Sequence, residues 1–142
     1  MTAAVAATML MAGSALAADK GSAAEAKAML EKAVTAVKAD KAKALEQFTK
    51  GESGFKDRDL YPYCGGADGN FTAHPTLVGK SLKDLKDKAG KAFGADMYAQ
   101  AEEGKIKEVD YMWPLPGGSD PVAKSVYYTK IADQICGVGY YK

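Results

Sequence analysis

The residues best suited to catalysis or metal binding are one histidine, His74, and two cysteines, Cys64 and Cys136. A standard zinc site takes three or four such ligands at short spacing, so no metal site is predicted. A thiol nucleophile would need Cys64 in hydrogen-bond contact with His74 as its base. Strand alternation around a hairpin turn at 68–69 places Cys64 opposite Ala73 and on the other face from His74. We therefore expect no catalytic residue and no cofactor.

Aromatic side chains dominate the segments with strand patterns. The same hairpin count places Tyr61, Tyr63 and His74 on one face, unless a bulge near residues 65–66 shifts the register by one. In a later strand, Tyr111 and Trp113 share a face with Val109 and Leu115. Phenol and indole groups can line an apolar cavity and still donate hydrogen bonds to a bound carboxylate.

In the following strand, Tyr127 shares a face with Ser125 and Thr129, and Lys124 lies near the start of that strand. Lys124 is the best single cation for a carboxylate, although a lysine after a loop is more often a solvated surface charge. His74 has the alternative of packing on Tyr63 without contacting a ligand. The predicted ligand-binding residues are Tyr61, Tyr63, His74, Tyr111, Trp113, Lys124 and Tyr127.

Other charged residues are interpreted as structural. Arg58 is the only arginine and lies between Asp57 and Asp59, which offer it local salt bridges. The chain has 19 basic and 18 acidic residues and a formal net charge of +1. Nucleic-acid binding needs a clear basic excess, so nucleic acid is not expected as a partner.

The first 17 residues are apolar, uncharged and closed by Ala-Leu-Ala. This pattern predicts a signal peptide over residues 1–17 and a mature domain over residues 18–142, located in the periplasm or secreted. No Lys or Arg precedes the apolar run, a departure from the usual pattern, so the true translation start stays open. In an oxidising compartment, Cys64 and Cys136 are a candidate disulfide, with two buried free thiols as the alternative.

The hydrophobic pattern predicts helices first and a sheet afterwards. Apolar residues spaced three and four apart predict a helix over residues 22–37, and a second helix starts at Asp40 and ends near Gly51. Two strands then flank the 68–69 turn, followed by short helices over residues 82–89 and 92–103 and three strands over 107–115, 122–132 and 135–141. The predicted fold is one α+β domain around a five-stranded antiparallel sheet.

An ordered series of short motifs carries a family resemblance. It comprises Tyr-Pro-Tyr-Cys at 61–64, Ala-His-Pro at 73–75, Leu-Val-Gly-Lys at 77–80, Tyr-Met-Trp-Pro at 111–114, Lys-Ser-Val-Tyr at 124–127 and Gly-Val-Gly-Tyr at 137–140. The series resembles a single Cache domain, the extracytoplasmic sensor module of bacterial chemoreceptors and histidine kinases. The resemblance implies a PAS-like (profilin-like) sheet with the last strand beside the first, and a pocket for small ligands, often short carboxylic acids. Cache sensors usually lie between transmembrane helices, so this chain resembles a freestanding, exported form.

These observations together predict a non-catalytic, exported sensor-type domain. A short organic acid is expected between the sheet and the crossover segment over residues 75–103, with His74 and Lys124 contacting its carboxylate. A membrane-bound receptor or kinase is a possible partner, and the sequence leaves the ligand identity and the oligomeric state open. The alternatives are a structural or interaction module whose pocket is filled by its own side chains and, less favoured, a small hydrolase.

Overall fold

The computed structural model describes residues 19–142, so the predicted signal peptide lies outside the described part of the chain. Helix α1 spans Ala23–Ala39 and begins with a capping box, in which Ser22 and Glu25 each bond the other's backbone amide. Helix α2 spans Lys41–Lys50; the Asp40 side chain caps its start, and Gly51 ends it at a φ of 68°. Both predicted helices are confirmed.

Five antiparallel strands form one sheet in the order β2-β1-β5-β4-β3. The chain therefore is the predicted α+β domain, with the last strand beside the first. The strands are β1 (Pro62–Gly65), β2 (Phe71–Ala73), β3 (Lys107–Pro114), β4 (Pro121–Ile131) and β5 (Gln134–Tyr141).

The first hairpin keeps the predicted register where it matters for the site. Cys64 lies opposite Ala73, as predicted, whereas Gly65 lies opposite Phe71, so Thr72 is an extra residue in β2. The Thr72 hydroxyl donates a hydrogen bond to Gln134. Because this bulge lies on the turn side of Cys64, the residues before Cys64 and after Ala73 keep their predicted faces.

Helix α1 covers one face of the sheet. Its apolar stripe includes Leu30 and Ala33, both with no exposed surface, and packs over β5 and β4. Beneath it, Cys64 of β1 and Cys136 of β5 are directly paired in the sheet and joined by a disulfide. The predicted disulfide is confirmed, and its sulfur atoms face α1 rather than the aromatic face described below.

The crossover between β2 and β3 covers the opposite face. Its helix α3 spans Phe93–Gln100, shorter than the predicted 92–103, and the helix predicted over 82–89 is wrong. Tertiary contacts explain the apolar spacing of residues 82–89. The amides of Leu82 and Lys83 donate hydrogen bonds to the Gly69 carbonyl, and the Leu85 carbonyl accepts one from the Gly94 amide. Within residues 19–142 no helix is both long and apolar enough to cross a bilayer.

Candidate functional site

Aromatic rings fill the space between the sheet and the crossover. Phe93 of α3 stacks on Tyr111 of β3, with ring centroids 3.7 Å apart, and Trp113 packs edge-on against Phe93. The hydroxyls of Tyr63 and Tyr111 lie 3.1 Å apart. We call this group the aromatic cluster: Tyr61, Tyr63, Phe71, His74, Phe93, Tyr111 and Trp113. Five of the seven predicted ligand-binding residues belong to it.

Lys124 lies at the edge of the aromatic cluster and is only 2% exposed. Its Nζ donates a hydrogen bond to the Tyr61 hydroxyl at 3.2 Å and lies 4.8 Å and 5.1 Å from the ring centroids of Tyr61 and Tyr141. Among the residues that the structure describes, no carboxylate lies within ion-pair distance of this amino group. The interpretation of Lys124 as a solvated surface charge is therefore wrong.

Two features of the sheet explain why Lys124 is buried. It is paired with Tyr111 of β3 on one side and Tyr141 of β5 on the other, so its strand is central rather than exposed. Gly139 of β5 makes room for it, since a Cβ there would lie 2.2 Å from Lys124 Cε. Burial lowers the pKa of Lys124 to about 7, and the charge of Asp59 opposes that shift.

His74 is also buried, at 7% exposure, and its ring contacts those of Tyr61, Tyr63 and Phe71. Its Nδ1 accepts hydrogen bonds from the amides of Thr76 at 3.0 Å and Leu77 at 3.1 Å. This assignment places the hydrogen of the neutral ring on Nε2. Burial, followed by the nearby charge of Lys124, lowers the pKa of His74 to about 4. At neutral pH, His74 is therefore an uncharged hydrogen-bond donor.

The Asp59 carboxyl group is buried, whereas the sequence predicted a local salt bridge between Asp59 and Arg58. Asp59 is 7% exposed; Oδ1 accepts the Gly21 amide at 2.7 Å, and Oδ2 has no partner within the described residues. Arg58 instead pairs with Glu25 and Asp57 and is structural, as expected. No local sequence signal separates Asp59 from its exposed neighbour Asp57.

Tyr127 does not join the other predicted ligand-binding residues. It lies on the α1 face of the sheet, where its ring packs against Tyr140 at a centroid distance of 5.7 Å. Side chains alternate along a strand, so residues three apart, such as Lys124 and Tyr127, point to opposite faces. The prediction that Tyr127 lines the ligand pocket is therefore corrected by the sheet geometry. Two members of the aromatic cluster, Phe71 and Phe93, were not among the predicted ligand-binding residues, although Phe93 lies in the crossover segment expected to cover the acid.

Two cavities meet at the aromatic cluster. The inner cavity measures about 10 Å³ and lies within the cluster, beside Leu85 and Lys124. A groove of about 480 Å³ opens outside it, toward the end of α2 and the β3–β4 loop. Tyr61, His74 and Trp113 line both spaces. Neither is a metal centre: within residues 19–142 no three His, Cys, Asp or Glu side chains are grouped to hold an ion.

Comparison with known families agrees with this architecture. The family model for single Cache domain 2 matches residues 2–141. The chain belongs to this Cache family. Over 55 residues it is 40% identical to the methyl-accepting chemotaxis protein McpP of Pseudomonas putida KT2440, an alignment covering 39% of this Cache domain but only 10% of that receptor.

Two solved structures show the same fold. One is described as the structural basis for carboxylic acid recognition by a Cache chemosensory domain; it has a TM-score of 0.57, 23% identity and coverage of 81% of this chain and 84% of the other. The second is the periplasmic sensor domain of a chemotaxis protein, with a TM-score of 0.58, 24% identity and coverage of 81% and 86%. The chain thus has the family membership and the fold of a single Cache domain, as its sequence motifs suggested.

Proposed function

We propose that this Cache domain is a non-catalytic, exported sensor that binds a short organic acid beneath the crossover, with Lys124 and His74 contacting the carboxylate. The observation that carries the proposal is the environment of Lys124. An ammonium group has three donors, and this one has a single phenolic hydrogen-bond partner inside an aromatic enclosure. A bound carboxylate would supply the missing counter-charge and offset the cost of burying the cation.

The surroundings favour an anion with a small apolar body. His74 has a neutral N–H donor on Nε2, and His74, Tyr61 and Lys124 line the same inner cavity, so the polar groups available to an anion lie in one region. Phe93, Tyr111 and the other rings would contact the hydrocarbon part. The solved structure described as showing carboxylic acid recognition by a Cache chemosensory domain supports the same ligand class for this chain.

Binding requires movement of the crossover, because a cavity of 10 Å³ is smaller than any organic acid. The segment over residues 75–92 contains no helix and only an isolated bridge at Ser81, and individual hydrogen bonds such as Phe71 N to Lys80 O hold it in place. Because it belongs to no regular element, it is the wall that we expect to move. We propose that the acid displaces it outward and that a membrane-bound receptor or kinase reads the altered surface.

The catalytic alternative has no thiol nucleophile, because the sulfur of Cys64 is bonded to Cys136. The filled-pocket alternative keeps one specific observation in its favour, the small inner volume. Thermal denaturation and calorimetry with acetate, propionate, pyruvate and lactate distinguish it from a sensor, since a ligand that binds the native state raises the melting temperature by mass action.

Three variants make this test specific. Lys124→Met should abolish binding and His74→Asn should weaken it, because asparagine can still accept the Thr76 and Leu77 amides but lacks the Nε2 donor. Lys130→Met removes an exposed lysine from the same strand and should bind like the wild type. Absence of binding for every acid would favour the filled-pocket alternative, whereas equal binding by the wild type and Lys124→Met would overturn the role given to Lys124.

Export is part of the proposal. We infer that residues 1–17 are a signal peptide, so the mature domain starts at Ala18. Amino-terminal sequencing of protein recovered from the periplasm or medium should begin Ala-Asp-Lys. An intact Met1 on exported protein would contradict this assignment.

A further inference from the structure

The groove beside the aromatic cluster has a chemistry different from that of the inner cavity. It is lined by the end of α2, the 55–58 segment, the start of the crossover and the β3–β4 loop. Its volume of about 480 Å³ falls in the range of small-molecule sites, roughly 300–1,000 Å³. A two- or three-carbon acid would leave most of its apolar surface in water, so a larger ligand fits it better.

The apolar part of the groove is aromatic and proline-rich. Its aromatic members are Phe48, Phe55, Tyr61 and Trp113, and its prolines are Pro75, Pro114 and Pro116. Flat rings pack favourably against aromatic side chains in edge-on or offset geometry, beyond the gain from burial alone. This wall therefore favours a ligand that carries an aromatic ring over one with a purely polar body.

Among the described residues, all the charged side chains that line the groove are positive. Lys50, Lys56 and Arg58 line it, and none of the described lining residues is an aspartate or glutamate. Lys50 pairs with Glu46 in an exposed contact, a kind that contributes little. Lys56 is exposed and makes no ion pair within residues 19–142, whereas Arg58 is held by Glu25 and Asp57. Lys50 and Lys56 are thus the cations available to a ligand.

The end of α2 offsets this charge only in part. A helix carboxyl end carries partial negative charge on its last carbonyl groups. Here two of the last four carbonyls, those of Gln47 and Phe48, accept hydrogen bonds from the amides of Glu52 and Gly51.

We propose that the groove is a second binding site, distinct from the inner cavity, for an aromatic carboxylate whose ring lies on the Tyr61 and Trp113 wall and whose anionic group is bound by Lys50 and Lys56. Its occupancy would contact three residues of the inner site, since Tyr61, His74 and Trp113 line both spaces. The two sites would therefore be neighbours that share a wall.

Trp113 is the only tryptophan in the chain and lines both spaces, so its fluorescence reports binding in either, and the lysine variants assign the binding to the groove. We expect benzoate to change this fluorescence saturably, and benzamide, its uncharged counterpart, to bind roughly two- to tenfold more weakly. The double variant Lys50→Glu/Lys56→Glu should weaken benzoate binding by a similar factor. Lys27→Glu/Lys38→Glu makes the same charge change on exposed positions of α1 and should bind benzoate like the wild type.

Calorimetry with propionate separates this proposal from the sensor function. The Lys50→Glu/Lys56→Glu variant should keep the wild-type propionate affinity, since neither lysine lines the inner cavity. Benzoate binding without binding of any of the four short acids would overturn the sensor proposal and leave the groove site standing. Equal benzoate affinity in the wild type and the Lys50→Glu/Lys56→Glu variant, equal affinity for benzamide, or no benzoate response would overturn the groove site. A fluorescence change that depends on protein concentration and not on benzoate would also overturn the groove site. It would indicate that a second copy of the chain binds there.

Discussion

Replacing Lys124 by methionine should remove a specific pH dependence from the stability of the domain. The folded pKa of about 7 lies well below the ordinary lysine value of 10.5 because the amino group is buried. Between these values the unfolded chain binds one more proton than the folded chain. Stability must therefore rise as pH increases through this window, by about 1.4 kcal/mol per pH unit when the difference is one full proton.

The size of the effect follows from the titration of the folded state. At pH 7 the folded lysine is half protonated, and by pH 9 it is almost fully neutral, while the unfolded lysine stays charged. Integrated over this range, the lysine contributes about 2 kcal/mol of pH-dependent stability, as an order of magnitude. Methionine has no titratable group, so the variant should lack this increase. At pH 7 the variant should be the more stable, because an apolar side chain of similar length has no desolvation cost.

Urea denaturation monitored by Trp113 fluorescence at pH 7, 8 and 9 measures the effect. The informative quantity is the difference in unfolding free energy between the wild type and Lys124→Met, because the contributions of other groups cancel in it. Above about pH 10, tyrosines complicate the comparison, since burial raises the pKa of Tyr61 to about 12 and that of Tyr63 further. Lys130→Met should show the wild-type slope. Parallel curves for wild type and Lys124→Met would refute the assignment of a buried, neutralised lysine.

Three further predictions concern stability. His74 is neutral in the folded state with a pKa of about 4, so stability should fall by about 2 kcal/mol between pH 7 and pH 4.5, and urea titrations of His74→Asn should lack this part of the loss. Replacing Cys64 and Cys136 by alanine opens a cross-link over 72 residues and should cost about 4 kcal/mol of unfolding free energy; a cost below about 1 kcal/mol would argue against the chain-entropy account. Gly94→Ala places a Cβ 1.8 Å from the Leu82 carbonyl oxygen and should lower the unfolding free energy by roughly 1–3 kcal/mol, whereas Ala95→Gly on the exposed side of α3 should cost no more than about 1 kcal/mol.

Local chemistry made much of the fold predictable. Ser22, Asp40 and Gly51 bound the two helices because caps act on the adjacent turn, and alternation around the 68–69 turn placed Tyr63 and His74 together. The predicted helix over 82–89 is wrong because Leu82, which is buried, and Leu85, which is partly buried, owe their apolar spacing to tertiary contacts with the hairpin and α3. The interpretation of Lys124 as a solvated surface charge is wrong for a similar reason, because its burial depends on strand neighbours far away in sequence.

The sequence alone thus determined the first two helices, the five strands, the candidate disulfide partners and the aromatic composition of the site. These features arise from hydrogen bonds, alternation and compartment chemistry that act over a few residues or on side-chain type. Only the tertiary structure decided which charges are buried, that Tyr127 faces α1, and that the inner cavity is narrow while a groove opens beside it. Burial depends on what packs against a side chain, and for Lys124 the deciding residues are Tyr111, Gly139 and Tyr141 on the two adjacent strands.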